Sequence, residues 1–355
     1  MPNAIGPVVC TSPLSATRNA VPCGCGATLT ARGQKGISLL WGCPILASEG
    51  PLTGIDWLRN HTPTVLRPAL GALHRLADNH LIGDKSFIER QYVDFFGEIP
   101  DLAQPRTFNE KVQWRKLYDR RPLYQLLSDK VAVRDYLAAR VGPDYLVPML
   151  GVFEKPKDIP WAELPTPYVI KAAHGCGWNL FVHDSAEADP SGLTRTLRRW
   201  LKTNYYYQGR EWAYKDIPRR LIIERFIGPG REAPEDFKIF CFDGVPQAIY
   251  LLRDRFTRPT ITWFDPAWAR LPFGMKYPQG PARRTPSALA EMLAIARKLS
   301  QGFDFLRVDL YSVDGRVYCG ELTIYPGCGL DRFTPPERDE WLGGFWKLPV
   351  AESKR

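Results

Sequence analysis

Apolar residues change their spacing along the chain, and this spacing predicts both helices and strands. Apolar positions three and four residues apart predict helices over 108–118, 122–141, 191–203 and 287–301. Runs rich in β-branched and aromatic residues predict strands from residue 168 onward, including a hairpin that turns at Asp243-Gly244. A proline-rich loop is predicted over 259–286. Because the chain has no sustained βαβ run and no internal repeat, this order indicates an α+β fold.

A second hairpin is predicted near the carboxyl end. Its two β-rich runs, 305–311 and 316–324, are separated by the dipeptide Asp314-Gly315. Asp-Gly readily adopts positive φ angles, which tight hairpin turns require. The parity of the loop decides which side chains share a face, because successive side chains of a strand point to opposite sides.

The two carboxylates of this hairpin make its register important. A two-residue turn would place Asp309 opposite Gly320 and would point Glu321 to the other side of the sheet. A three-residue loop with a G1 bulge avoids this, and we predict that loop. It places five side chains on one face: Arg307, Asp309, Cys319, Glu321 and Thr323.

Such a face is suited to magnesium and a polyphosphate. Carboxylates on opposed or diagonal strand positions lie about 5–8 Å apart at Cβ, so that both reach one hard cation. The alternative is an exposed strand face with ordinary solvated charges. Two upstream segments favour the metal site.

The first upstream segment is an apolar strand, 167–173, that contains Lys171 and leads into a glycine-rich turn. A lysine within an apolar strand is costly unless it is paired. Gly175 and Gly177 allow backbone N–H groups to converge on an anion, so the lysine would add its charge to the same phosphates. An ordinary turn is the alternative, since the segment lacks the Gly-Lys-Ser/Thr ending of a Walker loop.

The second upstream segment is the apolar run 221–227, interrupted by Glu224 and followed by Gly and Pro. The carbonyl and N–H groups of a strand beside a carboxylate match the donors and acceptors of adenine. An edge strand with Glu224 facing water is the alternative.

In this order, these pieces resemble the TupA-like branch of the ATP-grasp superfamily. The resemblance covers roughly residues 86–348, and that branch is associated with teichuronopeptide and cell-surface polysaccharide biosynthesis. It rests on five segments: Arg106-Thr-Phe-Asn-Glu-Lys-Val-Gln-Trp114, Ser128-Asp-Lys130, Lys171 to Asn179, Pro234-Glu-Asp-Phe-Lys238, and Gly320-Glu-Leu-Thr-Ile-Tyr-Pro-Gly-Cys-Gly329.

The resemblance implies an α+β ATP-grasp fold, in which two α+β subdomains grip ATP between them after a helical lead-in at the amino end. The implied boundaries are a helical lead-in over 81–146, a lid subdomain over 147–230 and a carboxyl-terminal subdomain with the magnesium site over 231–350. The lid would exclude water from the reaction.

The resemblance also implies nucleotide contacts. Lys130 and Lys171 match the two lysines that bind ATP phosphates, with the loop of His174, Gly175 and Gly177 closing over them. A structural role is the alternative for His174. The segment from Glu224 to Ile227 matches the adenine-binding hinge.

The remaining matches concern the chemistry. Lys238 occupies a phosphate-facing basic position, and Arg307 matches the arginine that stabilises an acyl-phosphate and the tetrahedral intermediate. Asp309 and Glu321 match the magnesium carboxylates. Thr323 stands where most ATP-grasp enzymes have asparagine, and this replacement leaves the number of magnesium ions open.

The implied reaction is ATP-dependent, ADP-forming joining of a carboxylate to an amine through an acyl-phosphate, with ATP and Mg²⁺ as cofactors. The expected substrates are an acidic sugar or glycan and an amino acid. Three alternatives stay open: a glycosyltransferase of polysaccharide biosynthesis, a sugar kinase, and an ATP-binding protein with reduced catalysis. The chain contains no Asp-x-Asp metal motif, and this counts against the glycosyltransferase.

Charge and composition agree with an enzyme that binds anions. The chain has 355 residues and a formal net charge of +9, which suits ATP, acidic glycans or an anionic membrane face as a partner. Peripheral binding of the protein to a membrane therefore stays open. Arginines and aromatics mix over 195–220, but no recognisable motif accompanies them, so we predict no nucleic-acid partner.

The aromatic stretch 204–215 would line a sugar groove or pack in the core. No transmembrane segment is predicted.

The first 80 residues differ from the rest. Residues 1–48 contain no Asp or Glu and are rich in Gly, Pro, Ala, Ser and Thr, so we predict a disordered extension or a start assigned too early. Detection of peptide 1–48 in native protein would contradict the hypothesis that the start is assigned too early. Cys23-Gly-Cys25 lacks zinc-site spacing. We expect Cys176, Cys241, Cys319 and Cys328 to be reduced cysteines of a cytoplasmic protein.

Overall fold

Two antiparallel sheets organise the protein, whose computed structural model describes residues 39–40, 81–185 and 190–349. The predicted extension over 1–80 therefore lies almost wholly outside the described residues. The described residues belong to one compact unit, and the predicted boundaries at 146/147 and 230/231 stay predictions.

The helices and strands have these bounds. The described α-helices are α1 Asp84–Phe96, α2 Phe108–Tyr118, α3 Pro122–Ser128, α4 Val133–Val141, α5 Pro190–Lys202, α6 Tyr206–Gly209, α7 Leu289–Ser300 and α8 Glu337–Gly344. Short 3-10 helices are Pro143–Tyr145, Pro156–Asp158, Trp212–Tyr214 and Pro326–Gly329. The described strands are β1 Leu39–Leu40, β2 Met149–Phe153, β3 Tyr168–Ala172, β4 Asn179–Val182, β5 Leu221–Arg225, β6 Glu235–Phe242, β7 Val245–Arg253, β8 Thr260–Phe264, β9 Arg270–Leu271, β10 Gly274–Met275, β11 Phe305–Val313, β12 Arg316–Thr323 and β13 Phe333–Thr334.

The smaller sheet has five strands in the order β1-β4-β3-β5-β2, and α5 covers one of its faces. Leu193, Leu197 and Trp200 of α5 pack there with the apolar residues of β3, β4 and β5. The helix therefore buries its apolar stripe on the sheet, as the spacing predicts.

The larger sheet has six strands in the order β12-β11-β6-β7-β8-β9. On one face, α7 packs against it through buried residues such as Met292 and Ala296. On the other face, Phe108 of α2 and Trp346 contact Phe305 of β11. A separate short pairing joins β10 to β13.

A capping motif in the sequence marks the start of helix α2. Thr107 and Glu110 form a capping box, in which the threonine hydroxyl accepts a hydrogen bond from the Glu110 backbone N–H at 3.1 Å. The helix spans Phe108–Tyr118, which confirms the predicted bounds.

The predicted helix over 122–141 is wrong in one respect, because it breaks into α3 and α4. The Asp129 side chain accepts hydrogen bonds from the backbone N–H groups of Val131 and Ala132 at 2.9 and 3.3 Å. The guanidinium of Arg220 holds the other carboxylate oxygen of Asp129 at 2.6 Å. These contacts favour a turn over a continuous helix.

The predicted proline-rich loop over 259–286 is also partly wrong. It contains β8, β9 and β10, and β8 pairs with β7 inside the six-stranded sheet. The buried side chain of Trp263 shows why, since it packs against Tyr250 of β7 with ring centroids 5.1 Å apart. Packing of aromatics across the strands overrides the local proline content.

The predicted three-residue turn of the second hairpin is wrong as well. Val313 pairs with Arg316, so the loop is only Asp314-Gly315, and both residues have positive φ, at 50° and 79°. The pairing then shifts between Asp309 and Leu310, because Gly320 is an extra residue in β12.

The shift at Gly320 restores the face that the odd loop was expected to provide. Asp309 pairs directly with Glu321, and Arg307 pairs with Thr323, so these four side chains share one face. Cys319 instead pairs with Leu310 and is buried with the core residues of the opposite face. Its predicted place on the face of the carboxylates is therefore wrong, although Cys319 lines the same cavity as Glu321.

None of the helices in the described ranges combines the length and apolar character that a bilayer crossing requires.

Candidate active site

Strand alternation directs two charged side chains of the five-stranded sheet away from α5. Ile170 and Ala172 of β3, and Leu221 and Ile223 of β5, pack in the core beneath this helix. Lys171 and Glu224 therefore lie on the opposite face. Strand β5 lies between β3 and β2, and Glu224 is only 7% exposed, so the edge-strand alternative for this residue is wrong.

Lys171 and Glu224 contact each other on this face. The Lys171 ammonium donates to Glu224 Oε2 at 2.6 Å, and Arg134 donates to Glu224 Oε1 at 2.9 Å. Arg134 also donates to the carbonyl of Val147, at 2.9 Å, which ties α4 to the start of β2. Arg134 was not among the predicted site residues, because nothing in its sequence position relates it to β5.

Lys130 reaches the glycine-rich turn after β3. Its backbone N–H donates to the Ala173 carbonyl at 3.2 Å, and its ammonium donates to the Gly175 carbonyl at 2.7 Å. The break between α3 and α4 makes this contact possible, because it turns residue 130 out of the helix. The structure therefore brings Lys130 and the loop together.

The loop itself needs its glycines. A Cβ at Gly175 would lie 2.8 Å from the ring of Trp178, and Gly177 has a φ of 72°, in the left-handed region. The neighbouring His174 is buried, and its Nε2 lies 3.0 Å from the Trp200 carbonyl of α5. Burial lowers the pKa of this imidazole. His174 thus points toward α5 rather than toward the two lysines.

The predicted adenine hinge continues past the end of β5. Ile227 lies two residues beyond Arg225, the last residue of that strand. The backbone N–H of Phe226 donates to the Pro167 carbonyl at 3.0 Å, so this segment stays close to β3.

In the six-stranded sheet, Asp309 is held by two cations. Arg307 donates to both of its carboxylate oxygens at 2.7 Å, and the ammonium of Lys238 donates to Oδ2. Asp309 is 1% exposed, and burial raises the pKa of its carboxyl group. The three side chains form an interlocked group, because Lys238 pairs with Asp309 across β6 and β11.

Two residues that sequence analysis missed extend this group. Asp236 lies two positions before Lys238 on β6, and one of its carboxylate oxygens contacts the Lys238 ammonium at 2.9 Å. Arg255 of the β7–β8 connection donates to the same oxygen of Asp236. The other oxygen, Oδ1, has no hydrogen-bond partner among the described residues. Strand alternation places Asp236 beside Lys238, and that signal was present in the sequence.

Glu321 and Thr323 lie at the outer edge of the same face. The Arg307 guanidinium lies 3.5 Å from Glu321 Oε1 and 3.0 Å from the Thr323 hydroxyl, which donates to Glu321 at 3.2 Å. Burial opposes ionisation of Glu321, but the charges of Lys130, Lys238 and Arg307 lower its pKa to about 2. Glu321 is therefore an anion throughout the physiological range.

The charged faces of the two sheets meet at a cavity, which we call the cleft. Its lining includes Lys130, Lys171, Glu224 and Glu321, and its volume is about 30 Å³. A larger cavity of about 420 Å³ lies elsewhere, beside Glu235 and Trp268, and it contains none of the predicted site residues. The smaller cavity is the relevant one, because it joins predicted site residues from four separate segments of the chain.

A further acid, Glu211, lies close to this cavity and was not predicted. It is 4% exposed, and burial raises its pKa to about 7, with Glu321 adding to the rise and Lys116 and Lys130 opposing it. Three residues later, Tyr214 lines the cavity itself. The stretch 204–215 is therefore partly core, since Tyr205 and Tyr206 are buried, and partly cavity lining.

The oxygens present fit a magnesium ion that is shared with phosphates. Asp309 and Glu321 are direct strand partners on one face, and the Thr323 hydroxyl is adjacent. No group of three or more His, Cys, Asp or Glu side chains suited to a metal occurs among the described residues. Magnesium commonly takes one or two protein carboxylates and completes its shell with phosphate oxygens and water.

Known proteins provide distant likenesses. The chain is similar to a D-alanine–D-alanine ligase from Bacillus anthracis, with 18% identity, 57% of this chain, 55% of that chain and a TM-score of 0.36. It is also similar to an L-amino acid ligase from Bacillus licheniformis, with 14% identity, 69% and 47% coverage and a TM-score of 0.36. The chain spans about half the length of these two proteins. No curated protein matches it.

A family match covers most of the described chain. The model described as TupA-like ATPgrasp matches residues 110–347, about two thirds of the sequence. The match includes β2 to β13 and every predicted site residue. It confirms the resemblance found in the sequence and the α+β ATP-grasp fold. The chain therefore belongs to the TupA-like ATPgrasp family.

Proposed function

We propose that this protein is an ADP-forming ligase that joins a carboxylate to an amine through an acyl-phosphate. One observation carries the proposal: Glu321 lines the same cleft as Lys130 and Lys171, and its strand partner Asp309 is bound by Arg307 directly behind it. ATP-grasp proteins use ATP with Mg²⁺, in agreement with the two cofactors that the sequence predicts.

The cations of the cleft support the binding of ATP. Lys130 and Lys171 would contact the phosphates from the five-stranded sheet, while Lys238 would contact them from the six-stranded sheet. Each of these ammonium groups now contacts an oxygen of the protein, at the Gly175 carbonyl, Glu224 and Asp309. Phosphate oxygens would replace these partners, so the positive charges are held in place beforehand.

The carboxylates support a role in holding the metal. Asp309, Glu321 and Thr323 would bind Mg²⁺, which neutralises the charge of the β- and γ-phosphates when it is bound. Arg307 contacts all three of these residues. The Arg307 guanidinium would keep the oxygens of these three residues oriented, and its remaining N–H groups would contact the reacting carboxylate.

The chemistry then requires positioning rather than a protein nucleophile. An oxygen of the substrate carboxylate would attack the γ-phosphorus, and the bond to the β-phosphate oxygen would break to release ADP. The amine would attack the acyl carbon, inorganic phosphate would leave, and the ammonium would lose a proton. Charge neutralisation by Arg307 and the lysines at each step suffices for phosphoryl transfer of this kind.

The substrate class rests on the family. The TupA-like branch is associated with teichuronopeptide and other cell-surface polysaccharides, which supports an acidic sugar or glycan as the carboxylate and an amino acid as the amine. The net charge of +9 is consistent with an anionic substrate of this type.

ATP turnover by the full chain tests the proposal. The protein is incubated with ATP, Mg²⁺ and a panel of amino acids and uronic acids, with and without hydroxylamine, and products are identified by mass spectrometry. We expect ADP, phosphate and an amide, together with a hydroxamate where hydroxylamine traps the acyl-phosphate. Glu321→Gln serves as the inactive control.

Other products would contradict the ligase. Consumption of a UDP-sugar with ATP untouched would indicate the glycosyltransferase alternative. A phosphorylated sugar without an amide would indicate a kinase.

A further inference from the structure

Helix α5 carries two opposite stripes. Its apolar residues Leu193, Leu197 and Trp200 are buried against the five-stranded sheet. Its basic residues are all exposed to solvent: Arg195, Arg198, Arg199 and Lys202. At about 100° per residue, the four basic positions fall within roughly a quarter to a third of the helix circumference, on the side opposite the apolar stripe. We call the side chains of 195, 198, 199 and 202 the basic stripe.

No acid offsets this charge on the helix itself. The segment Pro190–Lys202 contains no Asp or Glu. Within the described part of the chain, no ion pair engages the side chains of the basic stripe. Arg219 extends the positive surface beyond the end of the helix, because its guanidinium donates to the Lys202 carbonyl at 3.5 Å.

Several cations elsewhere in the protein have carboxylate partners. Lys85 of α1 contacts Glu89 at 2.8 Å, and Arg283 and Arg253 both contact Glu235. Even the cleft cations have carboxylate or carbonyl partners. The basic stripe is thus a concentration of uncompensated positive charge, held on a rigid helix, and it suits an anionic partner.

We propose that the basic stripe docks the protein on an anionic membrane surface. The stripe is a row of charges on the outward side of a helix, which fits the plane of a lipid headgroup layer better than a single strand of nucleic acid. Trp200, the aromatic residue of the helix, is buried, so the helix has no exposed ring on which bases could stack. Long basic side chains attract anionic headgroups through charge, and each one near the surface contributes about 1 kcal/mol.

The docking would leave the cleft open. Helix α5 covers the face of the sheet from which Ile170 and Ala172 project, whereas Lys171 and Glu224 project from the other face. A membrane in contact with the basic stripe would therefore not obstruct the candidate site. This inference does not depend on the ligase proposal, because the stripe shares no residue with the cleft.

Vesicle co-sedimentation of the full chain tests the docking. Vesicles of phosphatidylcholine alone are compared with vesicles of equal parts phosphatidylcholine and phosphatidylglycerol. We expect binding only to the second kind, weakened by added salt. The variant Arg195→Gln, Arg198→Gln, Arg199→Gln, Lys202→Gln should lower the partition coefficient by up to roughly a thousandfold at low salt, since four headgroup attractions are lost.

A matched variant controls for net charge. Arg284→Gln, Arg297→Gln, Lys298→Gln, Lys347→Gln removes the same number of exposed positive charges at other places on the surface. It should bind vesicles as the unchanged protein does. Thermal unfolding midpoints of both variants verify that they fold, because none of the eight side chains is buried.

Three results would overturn the proposal. Equal binding to both kinds of vesicle would remove the electrostatic basis. Equal losses in the two variants would show that net charge, not the stripe, decides binding. Binding to heparin or DNA, without binding to anionic vesicles, would assign the stripe to a soluble polyanion.

Discussion

The two sheets of the protein both place charges on the face opposite a helix, but they enclose these charges to different degrees. In the five-stranded sheet, Glu224 is balanced by Lys171 and Arg134 and belongs to a layer covered by one helix. In the six-stranded sheet, Asp309 is almost fully buried and shares its oxygens between Arg307 and Lys238.

The difference follows from the size of the two cores. The six-stranded sheet is flanked by α7 on one side and by α2 with Trp346 on the other, so water is excluded from most of both faces. A charge placed there needs several partners, because burial without compensation is costly. The carboxylates of both sheets have two cationic partners, but the network around Asp309 is larger, because Lys238 also contacts Asp236 and Arg307 also contacts Glu321. We infer that the carboxylate side of the cleft is rigid and that the lysine side is easier to rearrange.

The largest effect is expected for the buried carboxylate. Asp309→Asn should reduce Mg²⁺-dependent ATP turnover by roughly a hundredfold or more. It should also lower the free energy of unfolding by about 3–5 kcal/mol, because Arg307 and Lys238 lose a buried counter-charge. Denaturant unfolding and ATP turnover measure the two effects.

Glu321→Gln provides the comparison within the same site. The Glu321 side chain is 32% exposed, against 1% for Asp309, so we expect a similar loss of turnover with a smaller loss of stability than in Asp309→Asn. Unchanged turnover in both variants would remove the metal assignment. Equal losses of stability would contradict the difference in enclosure.

The next effect concerns the lysine side of the cleft. Lys171→Met should weaken ATP binding by roughly tenfold to a hundredfold, since one charge-assisted contact to phosphate is lost. Fluorescence titration with an ATP analogue measures the change. Lys298→Met is the control, because Lys298 is an exposed cation of α7, which packs against the opposite face of the six-stranded sheet. An equal loss in the control would mean that general charge, not the position of Lys171, governs affinity.

A smaller effect is expected at Glu211 and depends on pH. Its carboxyl group has a pKa of about 7 in the fold, against an ordinary value near 4.5. Between these values the folded protein binds more protons than the unfolded chain, so the free energy of unfolding falls as pH rises, by about 3 kcal/mol at most. Glu211→Gln should remove this part of the slope.

Urea unfolding at pH 5 and pH 8 measures the slope for Glu211. The exposed residue Glu98 supplies the control variant, Glu98→Gln. A slope that persists unchanged in Glu211→Gln would contradict the assignment of the raised pKa to this residue.

The smallest effect concerns the turn of the second hairpin. Gly315→Ala should cost about 1 kcal/mol of stability, because the residue has a φ of 79°. Turnover should be unchanged, since the register of Asp309 and Glu321 is fixed by pairing across the strands. Gly83→Ala is a matched control: both glycines have open space around the Cβ position, but Gly83 has a φ of −65°. Equal costs would contradict the backbone explanation.

Parts of the fold that depend on neighbours in sequence were predictable. The capping box of Thr107 and Glu110 fixed the start of α2, and the Asp243-Gly244 turn joins β6 to β7 as expected. These features rest on contacts within a few residues, so the local pattern contains the information.

Features that depend on distant partners were not predictable. The break at Asp129 is stabilised by Arg220 and leads to the Lys130 contacts with the glycine loop, although apolar spacing continues through it. Arg255 and Glu211 approach the cleft from connections whose course no periodicity describes. The extra residue at Gly320 depends on how β12 adjusts to β11.

The sequence by itself determined the chemical types at the site and the strands that carry them, because strand alternation and glycine turns are local properties. Only the tertiary structure decided which cation balances which carboxylate. Burial makes an unpaired charge costly, and partners such as Lys238 and Asp309, 71 residues apart, meet only when the sheet has formed.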